Sequence, residues 1–218
     1  MAYTLHGFQR KFIPFLNWVF LGSVQGIENI PSEGPFILAC NHVAFPDTWV
    51  IGNLVFPRIK KPTWFMARDD FWIGRRWTAF VAPRLGALLI DWRNPSEVLE
   101  RSRAILDNGG SIGIFPEGSR NYNKNVLLKG KTGAARLALA SGCPVIPAGY
   151  AGPNVTNFRE FIYHFALNRH TAKVRIGKAI DFFEYSGKEI TSKLLYSATD
   201  KLMVEIGRLS GKRAQLHT

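Results

Sequence analysis

The sequence is poor in cysteine. Only Cys40 and Cys143 occur among the 218 residues, and each lies inside an apolar stretch. This arrangement is neither the clustered spacing of a zinc site nor a disulfide framework. We therefore expect a protein of a reducing compartment that holds no structural metal.

The sequence also lacks a hydrophobic run long enough to cross a membrane. The longest charge-free hydrophobic segment extends only from Phe12 to Val24 and contains Pro14, Asn17 and Ser23, whereas a spanning helix needs about 20 apolar residues. The first residues, MAYTLHGFQRK, contain no apolar core followed by a small-residue cleavage site. We expect no export signal.

Acidic residues are scarce relative to basic ones. The chain has 28 Lys and Arg against 16 Asp and Glu, which gives a formal net charge of +12. We expect an anionic partner, which can be a phosphate group, a nucleic acid or an acidic lipid. Phe, Trp and Tyr make up 13% of the chain, which argues against a disordered protein.

Short apolar runs alternate with helical patterns along the chain. Strands are predicted over 36–40, 63–67, 86–91, 111–115, 143–148 and 173–176, and helices over 47–54, 94–109, 134–141 and 191–209. This alternation predicts an α/β fold with a central, mostly parallel sheet flanked by helices. We expect one domain over residues 22–218, without internal repeats.

The segment before that domain, residues 1–21, has its own pattern. Residues 5–20 place Phe8, Phe12 and Val19 at helical spacing, with basic residues elsewhere on the wheel. This predicts an amphipathic helix that docks on a membrane, although a helix packed on its own domain has the same pattern. In a second stretch, 68–77, arginines alternate with aromatic residues. This pattern is typical of a site for single-stranded nucleic acid, of a surface that contacts lipid headgroups, and of a solvated face that covers a core.

A histidine and an aspartate follow the first predicted strand. The run 36–40 delivers His42 to a strand end, where chemistry is often presented. Asp47 is five residues later, and a turn before Pro46 would fold its carboxylate back onto the imidazole. Such a pair is a general base with its orienting partner. The alternatives are a helix-capping aspartate and a hydrogen-bonded core histidine.

Two further stretches suggest an anion site. In Phe115-Pro116-Glu117-Gly118-Ser119-Arg120 a sharp turn can leave backbone N–H groups facing a ligand, and Arg120 can hold phosphate oxygens. An ordinary turn with a surface ion pair is the alternative. The stretch 129–133, with two lysines before a helix, is a second candidate, but its spacing is not that of a nucleotide P-loop.

Four blocks together resemble the glycerolphosphate acyltransferase superfamily, in particular the bacterial 1-acylglycerol-3-phosphate acyltransferases. The blocks are 41–47, 86–93, 115–120 and 145–147, and the likeness extends over about 22–181. It implies transfer of a fatty acyl group from acyl-coenzyme A or acyl carrier protein to a hydroxyl of a lysophospholipid, most readily 1-acylglycerol-3-phosphate to give phosphatidate. It also implies no cofactor, no nucleic acid, and a peripheral or monotopic enzyme on the cytoplasmic face of the cell membrane.

The resemblance also implies roles for individual residues. His42 would deprotonate the acceptor hydroxyl and Asp47 would orient it. Glu117 and Arg120 would bind the glycerol phosphate, and backbone amides near Gly118 would stabilise the oxyanion. The remaining binding candidates are Ser119, Arg68, Arg93 and Lys131. The chain departs from the family pattern where Trp92 separates Asp91 from Arg93.

Other interpretations stay open from the sequence. The same enzyme class also acylates other lysolipids, glycolipids and amino-acid lipids. On a strand, Cys40 and His42 face the same side, so Cys40 could be the nucleophile of a thioesterase or a ping-pong transferase. A more distant alternative is a basic membrane-binding or nucleic-acid-binding module without catalysis.

Overall fold

A computed structural model describes most of the chain. The described residues are 15, 17–18, 21–43, 47–55, 58–59, 63–68, 82–91, 93–167, 170–185 and 187–217. The strands are β1 (Leu21–Gln25), β2 (Phe36–Cys40), β3 (Thr63–Arg68), β4 (Ala87–Ile90), β5 (Ser111–Ile114), β6 (Val145–Ala151) and β7 (Ala172–Ile176). The helices are α1 (Asp47–Val55), α2 (Pro95–Asp107), α3 (Gly133–Ser141), α4 (Phe158–Ala166) and α5 (Ser192–Ser210). Short 3-10 turns occur at Ile27–Asn29, Ala82–Leu85 and Phe183–Tyr185.

The seven strands form one sheet in the order β1-β7-β6-β2-β5-β3-β4. Strands β2 to β6 are mutually parallel. Strand β7 runs antiparallel to β6, and β1 pairs parallel with β7. The prediction of an α/β fold with a mostly parallel sheet flanked by helices is therefore confirmed.

Two elements differ from the sequence prediction. The turn-rich segment after Gly22 contains strand β1, whose exposed and partly exposed positions give no buried run. Helix α4 was not predicted at all. The predicted helix over 5–20 lies outside the described residues except for Phe15, Asn17 and Trp18, and the stretch 68–77 lies outside them except for Arg68.

Local sequence signals explain where several elements begin and end. At α2, the Asn94 side chain accepts from the N–H of Glu97 and Pro95 occupies the first turn, which satisfies an otherwise unpaired helix donor. At α3, Gly142 takes the left-handed conformation and ends the helix. Thr191 caps α5 by accepting from the N–H of Leu194.

Alternating residues of β2 divide the core into two layers. Ile37 and Ala39 pack on one face of the sheet with α2, α3 and α5. Phe36, Leu38 and Cys40 pack on the other face with α1 and with residues of β6 and β7. All five residues of β2 are buried, as expected for a central strand covered by helices on both sides.

The strand directions determine which strand ends lie at each of the two edges of the sheet. Strands β2 to β6 end at one edge, which we call the carboxyl edge, and β1 and β7 begin there because they run in the opposite direction. The opposite edge, where β2 to β6 begin, is the amino edge. Ligands of open parallel sheets bind outside the carboxyl ends of the strands. In the part of the chain that the structure describes, no helix combines the length and apolarity needed to cross a bilayer.

Gly149 allows the end of α5 to lie directly on β6. A Cβ atom at this position would come within 2.3 Å of the backbone of Leu209 and Ser210. We predict that Gly149→Ala lowers the free energy of unfolding by about 1–3 kcal/mol, because the helix end must move away from the sheet. Urea denaturation followed by circular dichroism measures this change.

Gly133→Ala is the matched control for that substitution. A Cβ atom there would meet only Ile114 Cδ1, at 3.8 Å, and alanine favours the helix that begins at this residue. Equal stability of the two variants would contradict the close helix–sheet contact.

Candidate active site

His42 and Asp47 are brought together at the carboxyl edge. His42 lies two residues beyond the end of β2, and Asp47 is the first residue of α1. The distance from His42 Nδ1 to Asp47 Oδ2 is 3.1 Å, and the N–H of Val43 donates to the same carboxylate oxygen. The aspartate thus binds the imidazole and the intervening loop at once. Its side chain is completely buried, while that of His42 is 19% exposed.

The imidazole of His42 lies on an aromatic ring. The rings of His42 and Phe115 are stacked, with centroids 4.2 Å apart and an interplanar angle of 18°. The ring of Phe65 is next to Phe115 at 6.1 Å. Because Nδ1 faces Asp47 and one ring face rests on Phe115, the position of the second ring nitrogen, Nε2, is fixed by the protein.

The main chain of His42 is held on both sides. Its N–H donates to Glu117 Oε1 at 3.0 Å, and its carbonyl oxygen accepts from the N–H of Asn121 at 2.7 Å. One residue earlier, the Asn41 side chain binds both backbone groups of Tyr150 in β6. The loop that carries the imidazole is therefore attached to the neighbouring strand and to the loop after β5.

Glu117, for which the resemblance implied a role in binding the glycerol phosphate, is buried. The residue is 2% exposed. Oε1 accepts from the N–H of His42, and Oε2 accepts from Asn121 Nδ2 and from the N–H of Leu128, both at 2.7 Å. Both oxygens are thus occupied by protein donors. In this arrangement Glu117 holds the main chain of His42. Its role in binding the glycerol phosphate stays a prediction.

The turn at Gly118 places a lysine on the expected anion site. Gly118 has a φ of +71°, and an added Cβ atom would lie 2.8 Å from Lys131 Nζ. The side chain of Lys131 therefore crosses the turn where only glycine leaves room. The N–H of Gly118 itself donates to the carbonyl of Phe115 at 2.9 Å and is engaged in the turn. That other backbone amides near Gly118 stabilise the oxyanion stays a prediction.

The other predicted binding residues are distributed along the carboxyl edge. Arg120 is partly buried and directly precedes Asn121, and Ser119 is exposed. Arg68 ends β3 and Arg93 follows β4, which are two and three strands away from β2. At a strand spacing of about 4.8 Å, their backbones are about 10 and 14 Å to the side of His42. The structure therefore places the backbone of Arg120 one residue before the amide that binds the carbonyl of His42, and it leaves Arg93 remote and exposed.

A segment after α5, which sequence reasoning missed, secures the loop that contains Asn121. The N–H of Arg213 donates to the carbonyl of Asn125, and the carbonyl of Arg213 accepts from the N–H of Leu127 at 2.9 Å. Lys212 Nζ donates to the carbonyl of Asn123 at 2.6 Å. Partial burial lowers the pKa of Lys212, and the nearby carboxylates of Glu117 and Asp47 oppose that shift. These contacts are between distant parts of the chain, so no local sequence motif predicts them.

Cys40 does not have the surroundings of a nucleophile. It is 1% exposed, and its thiol lies near Asn41 Oδ1 at 3.7 Å. Burial raises the pKa of the thiol well above its usual value, and the negative charges of Asp47 and Glu117 raise it further. The thiolate, which is the reactive form, is thus disfavoured.

The described residues contain no group of three or more His, Cys, Asp or Glu side chains that could hold a metal ion. The chemistry that can be assigned to the site is that of an oriented imidazole next to basic side chains. An imidazole hydrogen-bonded to a carboxylate can accept a proton from a hydroxyl and return it to a leaving group.

Comparison with protein families gives one match over the site. A sequence model of the family described as Acyltransferase matches residues 23–151. These residues extend from β1 to the end of β6 and include His42, Asp47 and the turn at Gly118.

Curated relatives cover a larger part of the chain. A 1-acyl-sn-glycerol-3-phosphate acyltransferase of Bacillus subtilis is 29% identical over 197 residues, which is 88% of this chain and 90% of the relative. A protein of the same description from Borreliella burgdorferi is 26% identical over 183 residues, which is 82% of this chain and 70% of the relative.

A solved structure has the same fold. The crystal structure of the 1-acyl-sn-glycerophosphate (LPA) acyltransferase PlsC from Thermotoga maritima superimposes with a TM-score of 0.65 at 22% sequence identity. The match covers 97% of this chain and 82% of that chain.

We predict that Cys40 of the native protein is alkylated slowly at pH 8. Its raised pKa leaves less thiolate than an unperturbed cysteine has at this pH, and burial blocks the reagent. The Cys143→Ser variant leaves Cys40 as the only thiol, so iodoacetamide incorporation measured by mass spectrometry reports on it alone. Labelling in urea should be fast; equally fast labelling of the folded protein would contradict the inert-thiol assignment.

Proposed function

The chain belongs to the acyltransferase family, and we propose that it transfers a fatty acyl group from a thioester donor to the free hydroxyl of a lysophospholipid. The donor is acyl-coenzyme A or acyl carrier protein, and the acceptor is 1-acylglycerol-3-phosphate, which gives phosphatidate. The names and coverage of the two bacterial relatives support this acceptor. The observation that carries the proposal is the hydrogen-bonded pair of His42 and Asp47 beside a basic turn.

The proposed reaction begins with proton transfer. Nδ1–H of His42 donates to the buried Asp47 carboxylate, which leaves Nε2 as the proton acceptor. Nε2 removes the proton of the acceptor hydroxyl as the oxygen attacks the thioester carbonyl. When the carbon–sulfur bond breaks, the imidazolium returns the proton to the departing thiolate. The acyl group passes directly to the acceptor, so no acyl-enzyme forms.

Burial of Asp47 supports this scheme. A carboxylate that is removed from water is screened only weakly by solvent, so its charge stabilises the imidazolium that forms at His42. The Phe115 ring and the bond to Asp47 together restrict rotation of the imidazole. Less orientational freedom is then lost when the acceptor hydroxyl binds.

Two basic residues of the loop that holds the main chain of His42 support a phosphate-bearing acceptor. Lys131 crosses the turn at Gly118, and Arg120 lies one residue before the amide that binds the carbonyl of His42. Arginine can form two parallel charged hydrogen bonds with a phosphate, and lysine adds a positive charge. We assign the acceptor phosphate to these two residues. Because the acceptor is a lipid, the enzyme works at a membrane surface.

We expect His42→Ala to lose about 10²–10⁴-fold in the rate of acyl transfer, which is the usual contribution of a positioned general base. Thiol release from acyl-coenzyme A, measured with and without lysophosphatidic acid, tests this. Release should require the acceptor. Cys40→Ala is the control and should retain the rate, whereas acceptor-independent release would indicate a hydrolase and contradict the proposal.

The variants Arg120→Ala and Glu117→Gln should have different kinetic effects, because Arg120 is assigned to binding of the acceptor phosphate and Glu117 to positioning of His42. We expect Arg120→Ala to raise KM for lysophosphatidic acid by about tenfold or more, because a charge-assisted contact of roughly 1.5–3 kcal/mol is removed. Glu117→Gln replaces an acceptor oxygen with a donor and should lower kcat through the displaced His42 loop. Steady-state kinetics with varied acceptor distinguishes them; an unchanged KM in Arg120→Ala would refute the phosphate assignment.

A further inference from the structure

Helix α4 presents large apolar side chains to solvent on one face. Ile162 and Tyr163 are 45% and 55% exposed, and Leu167, just beyond the helix, is 76% exposed. Arg159, also exposed, precedes Ile162 by three residues and Tyr163 by four, so these residues share one side of the helix. An exposed apolar cluster of this kind marks an interaction surface.

This face lies at the same edge of the sheet as His42. Helix α4 follows the end of β6 and leads into the beginning of β7, and both of those points are at the carboxyl edge. The loop before α4 also contacts the loop after β5, since Asn154 Nδ2 donates to the carbonyl of Tyr122 at 2.8 Å. Tyr122 itself is 44% exposed.

The end of the predicted N-terminal helix is next to this face. Leu21 begins β1 at the carboxyl edge, and its carbonyl is 3.2 Å from His170 Nδ1. The ring of Trp18 contacts that of His170 at a centroid distance of 6.2 Å. Trp18 is 67% exposed. His170 therefore links the aromatic end of the N-terminal segment with the loop that follows α4.

The charges of the connecting loops differ between the two edges. In the described loops, the carboxyl edge carries five basic residues, Arg93, Arg120, Lys124, Lys129 and Lys131, against two acidic ones, Asp91 and the buried Glu117. The described loops of the amino edge carry four basic residues, Arg58, Arg84, Lys178 and Lys188, against five acidic ones, Glu28, Glu33, Asp181, Glu184 and Glu189. Among the described loops, those of the carboxyl edge therefore carry the larger excess of basic residues, and they lie beside the exposed apolar groups of α4.

We propose that the exposed face of α4, consisting of Arg159, Ile162, Tyr163 and Leu167, is a docking surface that inserts into an anionic lipid bilayer. It acts beside the N-terminal segment and turns the carboxyl edge towards the membrane. Tyr and Trp suit the bilayer interface, where one part of the side chain is apolar and the other is hydrated. The inference deepens the proposed function, because it describes how that active site reaches a lipid acceptor.

A fluorescent label tests the orientation directly. The two native cysteines are buried, so an environment-sensitive thiol dye will react mainly with an introduced cysteine at Leu167→Cys. Phe183→Cys is the matched control: Phe183 is 74% exposed, close to the 76% of Leu167, but it lies at the amino edge. Vesicles of phosphatidylglycerol and phosphatidylcholine should shift the emission of the Leu167→Cys dye to the blue and leave that of the Phe183→Cys dye unchanged.

Sedimentation with the same vesicles tests how much Leu167 contributes to membrane binding. Leu167→Asp should weaken the partitioning about tenfold or more, since one buried leucine side chain is lost from the interface, and Phe183→Asp should not. Equal binding of Leu167→Asp and wild type, or equal loss in both variants, would overturn the proposal. A change in the oligomeric state of Leu167→Asp without vesicles would assign the surface to a second copy of the chain instead.

The binding assays involve no chemistry, so they are independent of the proposed reaction. His42→Ala should bind vesicles like wild type. Leu167→Asp should lose activity towards lysophosphatidic acid embedded in vesicles and retain it towards a short-chain, water-soluble analogue. Normal docking of a protein that transfers no acyl group would refute the proposed function and leave the docking surface intact.

Discussion

The buried carboxylate of Glu117 is the interaction on which the arrangement of the site depends. Removing a charged group from water costs several kcal/mol unless hydrogen bonds replace the lost hydration. Three N–H groups do so here, from His42, Asn121 and Leu128. Because these donors belong to two separate loops, the carboxylate fixes the loop after β2 relative to the loop after β5. Hydrogen bonds to a charged group each contribute roughly 1.5–3 kcal/mol.

His42 is consequently positioned through its main chain as well as through its imidazole ring. Glu117 and Asn121 bind the two backbone groups of His42, and Asp47 and Phe115 bind the side chain. The adjacent Asn41 extends this arrangement to β6. A base held in this way keeps one orientation while donor and acceptor enter and leave. The polar residues that support His42 are as buried as the apolar core beneath them.

The fold followed from the sequence where the signals are local. The apolar run of β2, the Asn94 cap of α2 and the Gly142 stop of α3 are each contained in a few neighbouring residues. Strand β1 has no such signal, since it is stabilised by β7 about 150 residues away, with Leu21 opposite Ala172. The role of Glu117 was hidden for the same reason: one of its donors is 75 residues distant in the chain. The motif showed where chemistry is present, but not which of its side chains face solvent.

The pairing of β1 with β7 also has a consequence for biosynthesis. Strand β1 is synthesised about 150 residues before its sheet partner β7, so it cannot form this pair until the intervening strands have left the ribosome. Pairing of this sequence separation is slow because a long loop has to close first. The segment that precedes β1, including Trp18, therefore stays unattached to the sheet until β7 has been made. That segment is free to meet a lipid surface before the catalytic domain is complete.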